Sequence, residues 1–320
     1  MCEKNQTKVT EFHLLGFKDL EKVKSLLFIA LLLIYAAIIG GNLLIILLVS
    51  ISNHLKIPMF FFLKHLAIAD VLLTTSILPL KLNIMLQAEG AISVSGCIFQ
   101  LYLFGVFGFV QCLLIAIMSY DRYLAVCDPL HYTLIMRPKR CQGLVFGSWT
   151  FNVIGMLSEI SLVGQFDFCG FNNIDHFFCD IGPIVELSNS DSSVLKLVDF
   201  IFSILVICLP FAFIIVTYIY IFITILKISS TTGRKKAFST CSSHLTTVCI
   251  YYGTLIAVYM MPSNESASLL NKYISLLYIM GTPLMNPMIY SLRNHEIQKA
   301  MKTMLKNILS AICEIHLRKI

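Results

Sequence analysis

Seven long runs of apolar residues, nearly free of charge, set the limits on what this chain can fold into. They fall near residues 25–51, 58–85, 97–126, 142–163, 197–226, 239–261 and 271–292. Each is long enough to cross a bilayer, which takes about 20 residues as a helix. In lipid a segment must satisfy its own backbone hydrogen bonds, and a helix does so internally. The expected architecture is an all-α membrane protein, a seven-transmembrane helix bundle over 25–292. An extracellular N-terminal segment, 1–24, precedes it, and a cytoplasmic tail, 293–320, follows. Composition excludes the soluble alternative: 57% of residues are hydrophobic and 13% charged, against about 25% charged in an ordinary globular chain.

The net charge of +6 does not mark a nucleic-acid binder, because the basic residues gather between alternate spans. Arg137, Lys139 and Arg140, then Arg234, Lys235 and Lys236, then the tail from Arg293 to Lys319 form one set. The other segments carry Asp167, Asp175, Asp180, Glu186 and Asp191. This positive-inside pattern places the basic loops in the cytoplasm, in a multi-pass protein of the plasma membrane. The first segment adds little to that orientation, since its lysines are interleaved with Glu3, Glu11, Asp19 and Glu21. No cleavable signal peptide is read, because the first apolar run is too long for one. Asn5-Gln6-Thr7 is a glycosylation acceptor usable only in the lumen, which agrees with an outside N-terminus.

Polar residues inside the spans are the candidates for function. Asp70 lies mid-membrane, where an ionisable group is costly and a functional role is the default hypothesis. Asn42 and Asn286, at similar depth, are its expected partners. Pro287 removes a backbone hydrogen bond from the last span and makes a hinge there, with Tyr290 free to swing at its inner end. Pro210 in the fifth span, with Tyr218 about two turns further in, is either a second hinge or an ordinary membrane-helix kink. Beyond the spans, Asn294 to Leu309 sets Ile297, Met301, Met304, Leu305 and Ile308 against Lys299, Lys302 and Lys306, the pattern of an amphipathic helix on the inner leaflet. No metal-ligand spacing and no nucleophile–base constellation is legible, so no enzyme is expected. A transporter would show repeat symmetry, and none is visible.

Five motifs in order carry a resemblance. They are Gly41-Asn42; Pro58-Met59-Phe60-Phe61-Phe62-Leu63 with Leu66-Ala67-Ile68-Ala69-Asp70; Met118-Ser119-Tyr120-Asp121-Arg122-Tyr123-Leu124-Ala125-Val126-Cys127 with Pro129-Leu130-His131-Tyr132; Lys236-Ala237-Phe238-Ser239-Thr240-Cys241-Ser242-Ser243-His244-Leu245; and Pro283-Leu284-Met285-Asn286-Pro287-Met288-Ile289-Tyr290. Over essentially its whole length the chain resembles the vertebrate olfactory receptors among the rhodopsin-like G-protein-coupled receptors. The resemblance implies an odorant as ligand, a heterotrimeric stimulatory G protein as partner and cyclic AMP as the signal. A non-olfactory chemosensory receptor of the same class is the alternative.

By that resemblance, Arg122 is restrained by Asp121 at rest and meets the G protein when active, with Tyr123, Tyr218, Asn286, Pro287 and Tyr290 in the switching machinery. Asn42, Asp70 and Asn286 form a polar cluster that often holds sodium. Cys97 pairs with Cys179 over the mouth of the pocket. A second bridge is usual within the same loop, but Asn189 stands where the partner of Cys169 is expected. Cys169 is therefore either free or paired with Cys97 or Cys179.

The ligand pocket is expected between the outer halves of the third, fifth, sixth and seventh spans. Its candidate lining is Phe104, Gly105, Gly108, Phe109 and Cys112; Phe202 and Val206; Tyr252, Leu255, Ile256 and Tyr259; and Leu276, Leu277 and Ile279. Such a lining is mainly apolar with a few hydroxyls and suits a small, weakly polar molecule. Phe104 stands where amine receptors carry an acid, so a simple amine lacks that counter-ion. The last span has no lysine at pocket depth for a retinal Schiff base.

Overall fold

A computed structural model describes residues 7–16, 23–86, 90–259 and 265–317. Asn5 lies outside them. The chain is an all-α bundle in which the seven expected spans appear in order. The first three are α1 (Lys24–Ile51), α2 (Pro58–Leu86) and α3 (Val94–Cys127). After the short α4 (Tyr132–Ile135), α5 (Pro138–Val163) is the fourth span. The loop helix α6 (Ile181–Leu187) leads to the fifth span: α7 (Ser193–Ser203), a π-helical segment (Ile204–Cys208) and α8 (Leu209–Lys227). The sixth is α9 (Thr231–Tyr259), and the seventh is α10 (Glu265–Leu276), a π-helical segment (Leu277–Gly281) and α11 (Thr282–Arg293).

Among the described residues, α1, α2, α3 and the continuous Ser193–Lys227 have the length and apolarity of membrane spans. The other three are more polar. Helix α5 carries Ser148, Asn152, Ser158 and Glu159, and α9 opens on threonine and basic residues. Helices run past the apolar runs because the backbone still gains its hydrogen bonds in the headgroup layer. The sixth shows this most clearly, starting at Thr231 rather than near 239.

Each π-helical segment precedes a proline, Pro210 and Pro283. A proline has no N–H to give, and a widened turn of this kind often marks a functional region of a helix. After α11, α12 (His295–Leu317) packs beside α1 and α11. It buries Ile297 and sets Met301 and Met304 against the core, with Lys299, Lys302 and Lys306 exposed. The expected amphipathic tail helix is present and extends beyond Leu309.

The outer mouth holds a small sheet that the hydropathy pattern does not reveal. Strand β1 (Glu11–Leu14) lies between β2 (Ala91–Ser93), antiparallel to it, and β3 (Asn173–Ile174), parallel to it. Phe12 is fully buried there, edge-on to Phe168 at 5.2 Å. The segment before the first span is thus part of the cap.

Candidate functional site

At the inner end, Asp121 and Arg122 are both buried, and Arg122 Nε and Nη2 donate to one carboxylate oxygen of Asp121. The other oxygen accepts from the Tyr132 hydroxyl at 2.8 Å. Arg122 is therefore held by its neighbour, and Tyr132 completes the clamp. Tyr132 stands in the third-span motif, but sequence alone gives it no task. Tyr123 stacks with Tyr120 and meets Tyr220 edge-on.

About two turns up, Tyr218 bonds His244 Nδ1 at 2.6 Å, and His244 Nε2 lies 3.1 Å from the carbonyl of Ile115. A carbonyl only accepts, so Nε2 carries the proton and the Tyr218 hydroxyl donates to Nδ1. The imidazole thus joins α8, α9 and α3. Tyr290 is fully buried, and its hydroxyl meets no partner among the described residues.

In the middle of the bundle, Asp70 has no exposure. Asn286 Nδ2 donates to one carboxylate oxygen at 2.8 Å and Gln111 Nε2 to the other at 3.0 Å. Asn286 is the partner expected, but Asn42 is not: its amide donates instead to the carbonyls of Pro283 (2.9 Å) and Ile38 (3.0 Å). The cause lies in the seventh span. The Pro283 carbonyl would normally receive the N–H four residues on, and residue 287 is a proline without one. Asn42 fills that vacancy from α1. Beside it, a Cβ on Gly41 would lie 3.0 Å from the Pro287 ring, so the glycine admits the proline. The Gly41-Asn42 and Asn286-Pro287 motifs are two halves of one contact.

In the outer half, Phe104, Gly105, Gly108, Phe109 and Leu255 enclose a cavity of about 30 Å³ together with Phe178, Asp180, Ser275 and Tyr278. One lining residue, Tyr278, belongs to a hydroxyl cluster beside the cavity. Tyr251 donates to the Gly108 carbonyl at 2.8 Å and lies 3.3 Å from the Tyr278 hydroxyl and 3.0 Å from Cys112 Sγ. The cluster ties α3, α9 and the seventh span. A Cβ on Gly108 would sit 2.9 Å from the Tyr278 hydroxyl, so close approach requires glycine there.

The remaining pocket candidates lie elsewhere. Phe202 and Val206 pack with Met156 between α5 and the fifth span. Tyr252 stacks on Phe211, and Leu276 and Ile279 belong to the main core. Ile256 and Leu277 are 40% and 55% exposed, on the outer face of the bundle. The side chain of Tyr259 lies outside the described residues. Of the lining residues, Phe178, Asp180, Ser275 and Tyr278 are not among the sequence candidates. The first two arrive on the loop, whose path no helical periodicity encodes. Larger clefts open on the flanks that face lipid, such as the one between α8 and α9 beside Phe222 and Phe238.

The cap is tied down at several points. Cys97 is bonded to Cys179. Lys272 Nζ, buried on α10, meets Asp175 at 2.6 Å and the Gly16 carbonyl at 3.2 Å. His176 is buried between Phe177 and Phe178. Burial, with Lys272 nearby, lowers its pKa to about 4. Burial also raises the Asp180 carboxyl above its ordinary value. Cys169 is neither free nor joined to Cys97 or Cys179: it is disulfide-bonded, and its partner lies outside the described residues.

Seven packed helices, an arginine clamped at the inner end, a polar cluster at mid-depth and a capped cavity at the outer end define a G-protein-coupled receptor. The olfactory receptor family model matches residues 31–308. Human olfactory receptor 11L1 is 44% identical over 96% of this chain and 95% of its own length, and human olfactory receptor 11A1 is 44% identical over 94% and 95%. Mouse olfactory receptor 5G29 is 44% identical over 94% of this chain and 96% of its own. The chain belongs to the olfactory receptor family.

Proposed function

We propose that this receptor binds small, mainly apolar odorants in the cavity beneath the Cys97–Cys179 bridge and activates a heterotrimeric stimulatory G protein, raising cyclic AMP. It does so from the plasma membrane, with its N-terminus outside and its C-terminus in the cytoplasm. The observation that carries this reading is the cavity's lining, drawn from α3 (Phe104, Gly108), α9 (Leu255) and the seventh span (Ser275, Tyr278), so that one ligand touches three helices at once. A cavity of about 30 Å³ is far below the 300–1,000 Å³ of ordinary ligand pockets. An odorant therefore enters only as Phe104, Phe178 or Tyr278 moves aside, and that movement couples binding to conformation. Only a difference in affinity between two states can shift the equilibrium. At the inner end, release of Arg122 from Asp121 exposes it to the G protein, with Arg234, Lys235 and Lys236 adding attraction for anionic lipid and for the partner.

The polar cluster fits a sodium ion. Gln111, whose amide nitrogen donates to Asp70, has an oxygen, Oε1, that is buried and meets no hydrogen-bond partner among the described residues, and Asp70 supplies the charge. Replacing extracellular sodium by choline is expected to shift agonist potency, and unchanged potency removes the ion from the proposal.

The test is a cyclic-AMP response screen in cells displaying the receptor, with Arg122→Ala beside it. A responding odorant is expected to lose its signal in that variant at equal surface display. Full signalling refutes the role of Arg122. Phe104→Asp is expected to move the dose–response curve, and an unmoved curve takes Phe104 out of the pocket.

A further inference from the structure

We infer that the odorants this receptor favours carry a protonated amine, held in the outer cavity by Asp180 with Asp199 and Glu159 behind it. This rests on the outer cavity as the odorant site. The position on α3 that bears an acid in amine receptors is Phe104, yet the loop brings a carboxylate to the same cavity, which Asp180 lines together with Phe104 and Phe178.

Asp180 is the N-cap of α6, and one of its carboxylate oxygens accepts from the Ile181 N–H at 2.8 Å. That bond fixes the side chain at the cavity wall. Asp199 on α7 lies within electrostatic reach of Asp180, and of Glu159 on α5. Glu159 is 2% exposed, and its Oε1 meets no hydrogen-bond partner among the described residues. It stands one turn beyond Met156 on the same face of α5, and a Cβ on Gly105 would strike the Met156 side chain. Gly105 lines the cavity, so the turn that bears Glu159 backs onto the cavity wall. Among the described residues, no lysine, arginine or histidine forms an ion pair with any of the three acids. Lys196, one turn before Asp199 on α7, acts on Asp191 instead.

A carboxylate out of water is costly unless something pairs it, and neighbours of like charge repel. A lysine or arginine usually supplies the missing cation; here it is left to the ligand. An ammonium on a small apolar skeleton fits both halves of the site. Its N–H groups donate to Asp180 in a charge-assisted bond, and its carbon frame lies against Phe104, Phe178 and Leu255. An alcohol of the same shape gains only a weaker bond to that carboxylate, and a carboxylic acid adds one more negative charge to the cluster.

The experiment is a thermal-shift titration of the purified full-length receptor, which reads binding without a G protein. The probes are cyclohexylamine and benzylamine, each beside the alcohol of the same skeleton, at neutral pH where the amines are protonated. The amine is expected to bind roughly tenfold more tightly than its alcohol, the gain of a hydrogen bond between charged groups. Asp180→Asn keeps the cap of α6, since asparagine accepts the same N–H, and is expected to abolish the preference while alcohol binding stays. Asp199→Asn and Glu159→Gln are expected to reduce the preference several-fold and to raise the unfolding midpoint of the empty receptor, because each removes a charge from the cluster. Amines that bind no better than their alcohols, or an Asp180→Asn receptor that still prefers them, overturn the inference and leave the cavity as the odorant site. A receptor stabilised by neither kind of probe overturns the cavity as well.

Discussion

Removing the Asn42 side chain should cost stability because of a proline on another helix, and that dependence can be isolated. In Asn42→Ala the Pro283 carbonyl loses the donor now 2.9 Å away, and Pro287 cannot replace it. A buried polar group left without a partner costs about 1–3 kcal/mol, although side-chain bonds between membrane helices average only about 0.6 kcal/mol and reach about 1.7. About 1–1.5 kcal/mol is the expectation, since the abandoned carbonyl has no alternative within its own helix. For a protein of this size that is a fall of roughly 1.5–2 °C in the unfolding midpoint. The control is Pro287→Ala, which returns an N–H to the position that bonds residue 283. In that background Asn42→Ala should cost about 1 kcal/mol less. The midpoints of all four receptors, measured in detergent with a thiol-reactive dye, close the cycle. If Asn42→Ala costs the same in both backgrounds to within about 0.4 kcal/mol, the two residues are independent and the reasoning is wrong.

Gly108→Ala should lower agonist potency roughly tenfold, the equivalent of about one hydrogen bond, because the new methyl lies 2.9 Å from the Tyr278 hydroxyl; an unshifted dose–response curve counts against the Gly108–Tyr278 wall of the cavity. Acid should loosen the cap through His176. Its folded pKa of about 4 lies below the unfolded value, so its neutral form is favoured by folding, and the contribution is lost as pH falls from about 6.5 towards 4. At pH 5 that loss is about 2 kcal/mol. The extra thermal destabilisation at pH 5 should disappear in His176→Gln, and an equal pH dependence in both receptors would refute it. Tyr218→Phe should raise agonist-free cyclic AMP by removing the donor to His244 Nδ1; unchanged basal signal at matched surface display argues against that bond as a restraint.

Hydropathy made the seven spans legible because lipid imposes one rule on every residue of a span. The motif residues were legible for a related reason: a charge or a proline in lipid is conspicuous. Asp70 and Asn286 come together as their depth suggests, and Arg122 meets Asp121 because they are neighbours on one helix end. What escaped is whatever depends on the rotation of one helix against another. Asn42 and Gln111 look alike as polar residues at mid-depth, yet Gln111 takes the carboxylate and Asn42 the freed carbonyl. Adjacent Tyr251 and Tyr252 differ by about 100° around α9, and it is Tyr251 that joins the hydroxyl cluster with Gly108 and Tyr278. The strand Glu11–Leu14 escaped too, because four residues of alternating burial are too short a pattern to stand out.

The bonds between α9 and α3 suggest how such a bundle can switch without unfolding. Tyr251 donates to the carbonyl of Gly108, and His244 to that of Ile115. Each pair lies seven residues from the other on its own helix, so the two bonds are rungs of an antiparallel ladder about 10 Å apart. Both carbonyls keep their own intrahelical donors four residues on, so breaking a rung strands only the side-chain donor. That differs from Asn42, whose loss strands a backbone carbonyl with no alternative. The inner rung faces the cytoplasmic end, where an opening cleft admits water to satisfy His244, whereas the outer rung is sealed beneath the cap. The sixth span should therefore swing at His244 and pivot at Tyr251. His244→Phe is expected to raise agonist-free cyclic AMP, and Tyr251→Phe to reduce the response to odorant without raising it. An equal basal rise in the two variants, normalised to surface display, would show that the rungs are interchangeable and that the pivot does not exist.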